Sequence, residues 1–227
     1  MSTSTTNSND QLIPFLWIRR GIGLMGFLFP VILVLGNKLI TGCDMIQRSI
    51  SAYYHTPMQT FFVAVLSVLA IFLFTYRGPN GEDSHWANLA SVLCLGVAFF
   101  PTTTQELDPK CLGWESYQMP VPHLISAIGL FLVLGHFSLN LFTKTGATQS
   151  EVTDMKIIRN RVYRICGYLM FGAMAAMVVL YVYEHFIIKT DIPFPYIFFL
   201  EWLALWAFGT SWIVKGDWFL GDRAPRI

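Results

Sequence analysis

The chain predicts an all-α integral membrane bundle of six transmembrane helices with both termini cytoplasmic, and three observations carry that reading. First, 54% of its 227 residues are hydrophobic and only 13% are charged, with a mean hydropathy of +0.52. A soluble domain carries about 25% charged residues, and no single soluble core could hide this much apolar surface. Second, the apolar residues gather in six runs separated by polar connections, most of them near the roughly 20 residues needed to cross a hydrocarbon core and the third shorter. Third, numbering six spans splits the 15 basic residues 11 to 4 between the two sides. Arg19, Arg20, Arg77, Lys144, Lys156, Arg159, Arg161, Arg164, Lys215, Arg223 and Arg226 fall with the termini, and Lys38, Arg48, Lys110 and Lys189 fall opposite. Because cytoplasmic loops collect Lys and Arg, both termini are placed in the cytoplasm, with a bacterial inner membrane as the expected location.

Residues 1–12 are rich in Ser, Thr and Asn and read as a disordered tail, residues 13–216 as the membrane domain, and residues 217–227 as a short cytoplasmic tail. The first span runs from Gly21 to Ile40 behind Arg19-Arg20, and no small-residue cleavage pattern follows it, so it reads as a retained helix. Gly21, Gly23 and Gly26 within it spell G-x-G-x-x-G. No strand precedes them, so they read as small residues for close helix packing rather than a dinucleotide loop. The second span covers Met58 to Tyr76 and ends at Gly78-Pro79-Asn80-Gly81. The third runs from about Trp86 to Phe100, stopping at Pro101, and the fourth from His123 to Phe142. Thr148 and Glu151 are spaced as a capping box ahead of the fifth, which continues to Ile188 and carries a small-residue face at Gly172–Ala176. The sixth covers Phe194 to Val214.

This topology sorts the cysteines. Cys94 and Cys166 lie inside spans, whereas Cys43 and Cys111 share the outer side, where an oxidising compartment would permit a disulfide. A net charge of +1 offers no basic field for nucleic acid, which is excluded as a partner; membrane lipids are the expected surroundings.

The polar residues that stand out are concentrated on the outer side. The stretch Ser49-Ile50-Ser51-Ala52-Tyr53-Tyr54-His55-Thr56-Pro57 places hydroxyls, phenols and an imidazole between two apolar runs. Ser51 and His55, four apart, would share one face of an α-helix. His123 opens the fourth span with Ser126 one turn along, and Glu201 sits in the sixth, about 10 Å below its outer end at 1.5 Å per residue. An ionisable group in a span is a functional candidate by default. Tyr53 and Tyr54 also suit an interfacial aromatic belt, and His185 an interfacial position. His136 lies deeper and is expected to bond between helices. Ser49, Ser51, Tyr54, His55, His123, Ser126 and Glu201 are therefore the expected lining of an outward-facing polar pocket for a lipid or small ligand. His55, His123 and Glu201 also offer two imidazoles and a carboxylate, a zinc-type donor set with a position open for water, although no H-E-x-x-H or paired-His motif enforces a metal.

Several of these features resemble a family. Ser49 to Pro57, Asn88-Leu89-Ala90, His123-x-x-Ser126-Ala127, Arg159-Asn160-x-x-Tyr163, Glu201-Trp202 and Trp206 to Gly209 are similar to a bacterial six-helix membrane family of unknown function. That family is similar in outline to the damage-regulated autophagy modulator-like membrane proteins. The resemblance spans residues 15–216 and implies the fold without an activity. Ser51-x-x-Tyr54-His55-Thr56 resembles, more narrowly, the Ser/His motif of the membrane hydrolases that include alkaline ceramidases, in which the His binds zinc. The chain differs in having six spans and no C-terminal His-x-x-x-His.

Three functions follow as expectations: a non-enzymatic binder of a lipid or small ligand, a metal-dependent hydrolase of a lipid amide or ester using Ser51, His55 and Glu201, and a small transporter. The transporter lacks an inverted repeat or paired broken helices to support it.

Overall fold

The computed structural model describes residues 8–78, 81–103, 118–144, 153–190 and 192–220. They form six α-helices, α1 (Ser8–Thr41), α2 (Gln59–Thr75), α3 (Gly81–Phe99), α4 (Pro120–His136), α5 (Asp154–Val182) and α6 (Tyr196–Lys215), and among the described residues there is no strand. A π-helical turn extends α4 over Phe137–Leu141 and another extends α5 over Tyr183–Ile188. α1 begins at Ser8, earlier than the expected tail boundary. Thr148 and Glu151, expected to cap α5, lie outside the described residues; Thr153 caps it instead, its side chain accepting from Lys156 N at 3.2 Å.

Each helix packs on its sequence neighbours, and α6 closes against α1, so the bundle is a ring. The helices alternate in direction, as the contacts between neighbours show: Ser91 bonds Ala70 and Cys94 bonds Leu66, His123 at the start of α4 meets Phe100 at the end of α3, and Gly135 and Gly167 cross Phe171 and Leu139. One end of the ring therefore gathers the α1–α2, α3–α4 and α5–α6 connections, and the other gathers the start of α1, the end of α6 and the remaining connections. Four stretches are long and apolar enough to cross a membrane: Leu16–Thr41, Pro120–Leu141, Asp154–Ile188 and Tyr196–Lys215. α2 is a shorter apolar helix, and α3 is less apolar because Glu82, Asp83 and His85 occupy its first turns. The outside of the ring is apolar: Val92, Ile125, Tyr168, Val179 and Phe186 are all exposed. Apolar surface on every side suits lipid and not water.

The interior is aromatic. Trp212 is fully enclosed, with Tyr76, Phe137 and Phe142 meeting it at ring-centroid distances of 5.0, 5.7 and 5.1 Å. Phe29, Phe62, Tyr53 and Phe198 fill the opposite half. The first glycine cluster explains why α1 and α6 approach so closely. A Cβ on Gly23 would stand 2.8 Å from Gly209 O, and one on Gly209 would stand 2.8 Å from Gly23 O. Gly26 likewise lies against Leu205 O. The glycine face expected on α5 is different: Gly172 is exposed, and a Cβ there meets nothing within 4 Å. The tight crossing of α4 and α5 runs instead through Gly135 against Phe171 and Gly167 against Leu139.

Candidate functional site

The tyrosine-rich segment opens the site. Residues Ser51–His55 form a 3₁₀ turn rather than an α-helix. Ser49 starts it, its Oγ accepting from Ala52 N at 3.0 Å, and Thr56 ends it, its Oγ donating to Tyr53 O at 2.8 Å. At three residues per turn, positions four apart no longer coincide. Ser51 and His55 accordingly do not share a face, as the α-helical expectation had them. Tyr53 is also not a belt residue. It is 1% exposed, packs on Phe198 and bonds the main chain at Gln47, and burial pushes its phenol up to about 12. Tyr54 is half-buried and edges the rings of His55 and Phe62.

The two outer histidines converge on one strip of backbone. His55 Nε2 lies 2.8 Å from Thr102 O, and His123 Nδ1 lies 2.7 Å from Phe100 O. A carbonyl only accepts, so each of these ring nitrogens carries the proton and donates. Met119 N donates to Pro101 O at 2.8 Å between them. Three successive carbonyls leaving α3 are thus each held by a different element. Burial lowers the His55 pKa and so favours the neutral ring, and the Thr102 carbonyl partly opposes this by favouring the charged one.

Glu201 is placed elsewhere. Its Oε2 accepts the Ile50 N–H at 2.5 Å, fastening the loop before the 3₁₀ turn to α6. Ser126 Oγ donates to Pro122 O in its own helix at 2.8 Å and packs where a Cβ on Gly96 would fall. Among the described residues, no three His, Cys, Asp or Glu side chains stand together as a metal-binding group. His55, His123 and Glu201 therefore do not assemble the donor set that the sequence suggested. His136 forms its hydrogen bond within its own chain segment, accepting from Asn140 Nδ2 at 3.0 Å, and its ring meets that of Trp86 on α3 at 4.5 Å with a tilt of 38°. Cys43 is disulfide-bonded, Cys94 and Cys166 are free and buried, and Cys111 lies outside the described residues.

The polar cavity lies beside these residues. It has a volume of about 480 Å³ and is lined by Arg48, Thr103, Glu184, His185, Tyr196 and their apolar neighbours Phe194 and Pro195. Glu184 is among the lining residues and is only 4% exposed. Oε1 accepts from Ile192 N at 2.7 Å, Oε2 accepts from Tyr196 OH at 2.5 Å, and the Arg48 guanidinium stands 3.8 Å from Oε1. His185 stacks on Tyr181 at 4.0 Å and donates from Nδ1 to Tyr181 O at 3.1 Å.

No protein family, curated protein or solved structure matches the chain. The chemistry of the site is therefore read from its geometry alone. Three of the residues singled out in the sequence hold its walls. His55 and His123 fix the backbone from Phe100 to Thr102, which delivers Thr103 to the cavity. Glu201 fixes Ile50, and Phe198 N donates to Arg48 O at 2.9 Å, so α6 delivers Arg48. Sequence reasoning missed Arg48, Glu184 and Tyr196 as a set. One signal was present: a Glu-His pair at the end of an apolar run, 12 residues before a Tyr. The π turn that swings Glu184 inward leaves no mark in the hydropathy pattern.

Proposed function

We propose that the chain is a multi-pass integral membrane protein with six spans and cytoplasmic termini, whose outward-facing polar cavity binds a small ligand or a lipid headgroup. The cavity around Glu184 carries this reading. It is polar, large enough for a small molecule, and sits at the end of the ring that the basic-residue bias assigns to the outside. The buried carboxylate is engaged by Tyr196 and Ile192 and pairs with Arg48, whose side chain is about 40% exposed in the cavity wall. Apolar walls from Phe194, Pro195 and Ile197 beside that cation suit an amphipathic molecule with an acceptor group. The family proposed from the sequence, bacterial six-helix membrane proteins of unknown function, agrees with this architecture. A disulfide from Cys43 to Cys111 would tie the outer connections together.

Native mass spectrometry of the intact protein in mild detergent tests the binding. A co-purifying non-protein mass is expected, and it should be lost in Arg48→Leu without a change in helix content. Absence of any such mass in the parent protein would count against the proposal. The topology is tested separately with Thr103→Cys in the Cys43→Ser, Cys111→Ser background. A membrane-impermeant maleimide should label Thr103→Cys in intact cells, and labelling only after lysis would invert the orientation.

A further inference from the structure

The donors and acceptors of the outer cavity are unevenly spent. Its donors are largely committed to the wall itself. Ile192 N and Tyr196 OH both go to Glu184, and His185 Nδ1 goes to Tyr181 O at 3.1 Å. Arg48, in the same wall, pairs with that carboxylate at 3.8 Å. Acceptors are left over. Glu184 has one hydrogen bond on each carboxylate oxygen, and a carboxylate oxygen can accept a second. With Nδ1 donating to a carbonyl, a neutral His185 offers Nε2 as an acceptor, and no hydrogen bond reaches that atom among the described residues. The hydroxyls of Thr103 and Tyr181, which also line the cavity, have no hydrogen-bond partner among the described residues.

These acceptors stand among aromatic rings. Tyr181 and His185, one turn apart at the end of α5, stack at 4.0 Å with an interplanar angle of 28°. His185 Nδ1 lies 4.0 Å from Glu184 Oε2, and the Tyr196 hydroxyl is bonded to that same oxygen, so two rings flank the carboxylate. Phe194 adds a further ring to the lining and is exposed. Ring faces attract a cation, and the attraction grows where water is kept away. A simple anion would meet ring faces and lone pairs that repel it.

We propose that the ligand of this cavity carries a primary ammonium group beside its acceptor group, an inference that rests on the reading of the cavity as a ligand site. A primary ammonium brings N–H donors and no acceptor, the complement of a wall with lone pairs to spare. Its charge suits the Glu184 carboxylate and the rings of Tyr181 and His185. A quaternary ammonium has the same charge but no N–H, so it leaves His185 Nε2 and the two hydroxyls unmet. The ammonium comes either from a lipid headgroup or from a soluble amine, and the chemistry is common to both.

The test uses the full-length protein in detergent, with two sets of probes. Ethanolamine hydrochloride is compared with choline chloride and sodium chloride at matched ionic strength by thermal unfolding. Retention of phosphatidylethanolamine from mixed micelles is compared with that of phosphatidylcholine and phosphatidylglycerol by native mass spectrometry. A midpoint raised by ethanolamine alone identifies a soluble amine; retention of phosphatidylethanolamine over both other lipids by at least about tenfold identifies a lipid. Either response should be lost in His185→Phe, which keeps a ring and removes the acceptor nitrogen. It should persist in Arg164→Gln, whose side chain is on the exposed face of α5. Should His185→Phe fail to fold, Tyr181→Phe replaces it. The proposal is overturned if choline or phosphatidylcholine serves as well as its primary-amine counterpart, if neither primary amine differs from its controls, or if His185→Phe and Tyr181→Phe both respond as the parent does. A co-purifying mass that contains no amine overturns the ammonium and leaves the cavity a ligand site. No such mass and no response to any probe overturns the cavity reading itself.

Discussion

Glu201 and Ile50 are joined across 151 residues of chain by one hydrogen bond, the Ile50 amide donating to Glu201 Oε2 at 2.5 Å. Ile50 is 4% exposed, so its N–H has no ready replacement in water. Glu201→Ala is expected to cost about 1–3 kcal/mol, the penalty for stranding a buried donor. Glu201→Gln keeps a carbonyl oxygen at the same place and should cost less. Thermal unfolding in detergent checks this, with each kcal/mol lowering the midpoint by about 2–4 °C for a chain of this size. Equal losses in the two variants would show that the carboxylate acts through something other than acceptance of this amide.

His55 makes stability depend on pH in a definite direction. Burial lowers its folded-state pKa below the ordinary 6.5, so between those two values the unfolded chain holds more protons. Stability is then complete above about pH 6.5 and declines as pH falls toward the folded-state pKa. His55→Gln retains a side-chain donor for Thr102 O but does not titrate. Unfolding midpoints from pH 8 to pH 5 should fall more steeply for the parent than for this variant, and parallel profiles would remove His55 as the source.

How much of this was legible in the sequence depends on the kind of contact. Helix number follows from long apolar runs, because each must be satisfied internally in lipid, and α1 to α6 appear where the runs are. Gly23 and Gly26 also announced their role, since a glycine pair one turn apart in an apolar run has few other uses. The roles of His55, His123 and Glu201 were hidden because their partners are backbone atoms: carbonyls at Phe100 and Thr102 and the amide at Ile50 carry no residue identity. Ser51 was misplaced for a different reason. The choice between a 3₁₀ turn and an α-helix over five residues is made by the capping of Ser49 and Thr56, not by any period in the side chains. Glu184 was overlooked beside His185, because only the π turn decides which of the two faces inward.

The two glycine faces give opposite outcomes on the same substitution. Gly209→Ala places a methyl 2.8 Å from Gly23 O, and backbone cannot yield as a side-chain tip does. Forcing α1 from α6 should cost about 1–3 kcal/mol. Gly172→Ala meets nothing within 4 Å and gains helix propensity, so it should be slightly stabilised, by up to about 1 kcal/mol, with a higher midpoint. Differential scanning fluorimetry on the two variants checks the contrast. A destabilised Gly172→Ala would mean that α5 packs on something outside this chain at that face.

The bond from Tyr196 to Glu184 supplies the sharpest measurement of the outer cavity. It is short at 2.5 Å, has an ionisable acceptor and is enclosed, conditions under which a hydrogen bond contributes about 1.5–3 kcal/mol. Tyr196→Phe removes the donor with little change in shape. Glu184→Gln keeps an oxygen but gives up the charge that faces Arg48 at 3.8 Å. Unfolding of both single variants and the double variant yields the coupling between the two side chains. Coupling of at least about 1 kcal/mol is expected, with Tyr196→Phe costing much less once Glu184 is already Gln. Additive losses would mean that Ile192 N and Arg48 hold the carboxylate by themselves. The cavity would then keep its shape in Tyr196→Phe, and ligand retention would follow Arg48 rather than Tyr196.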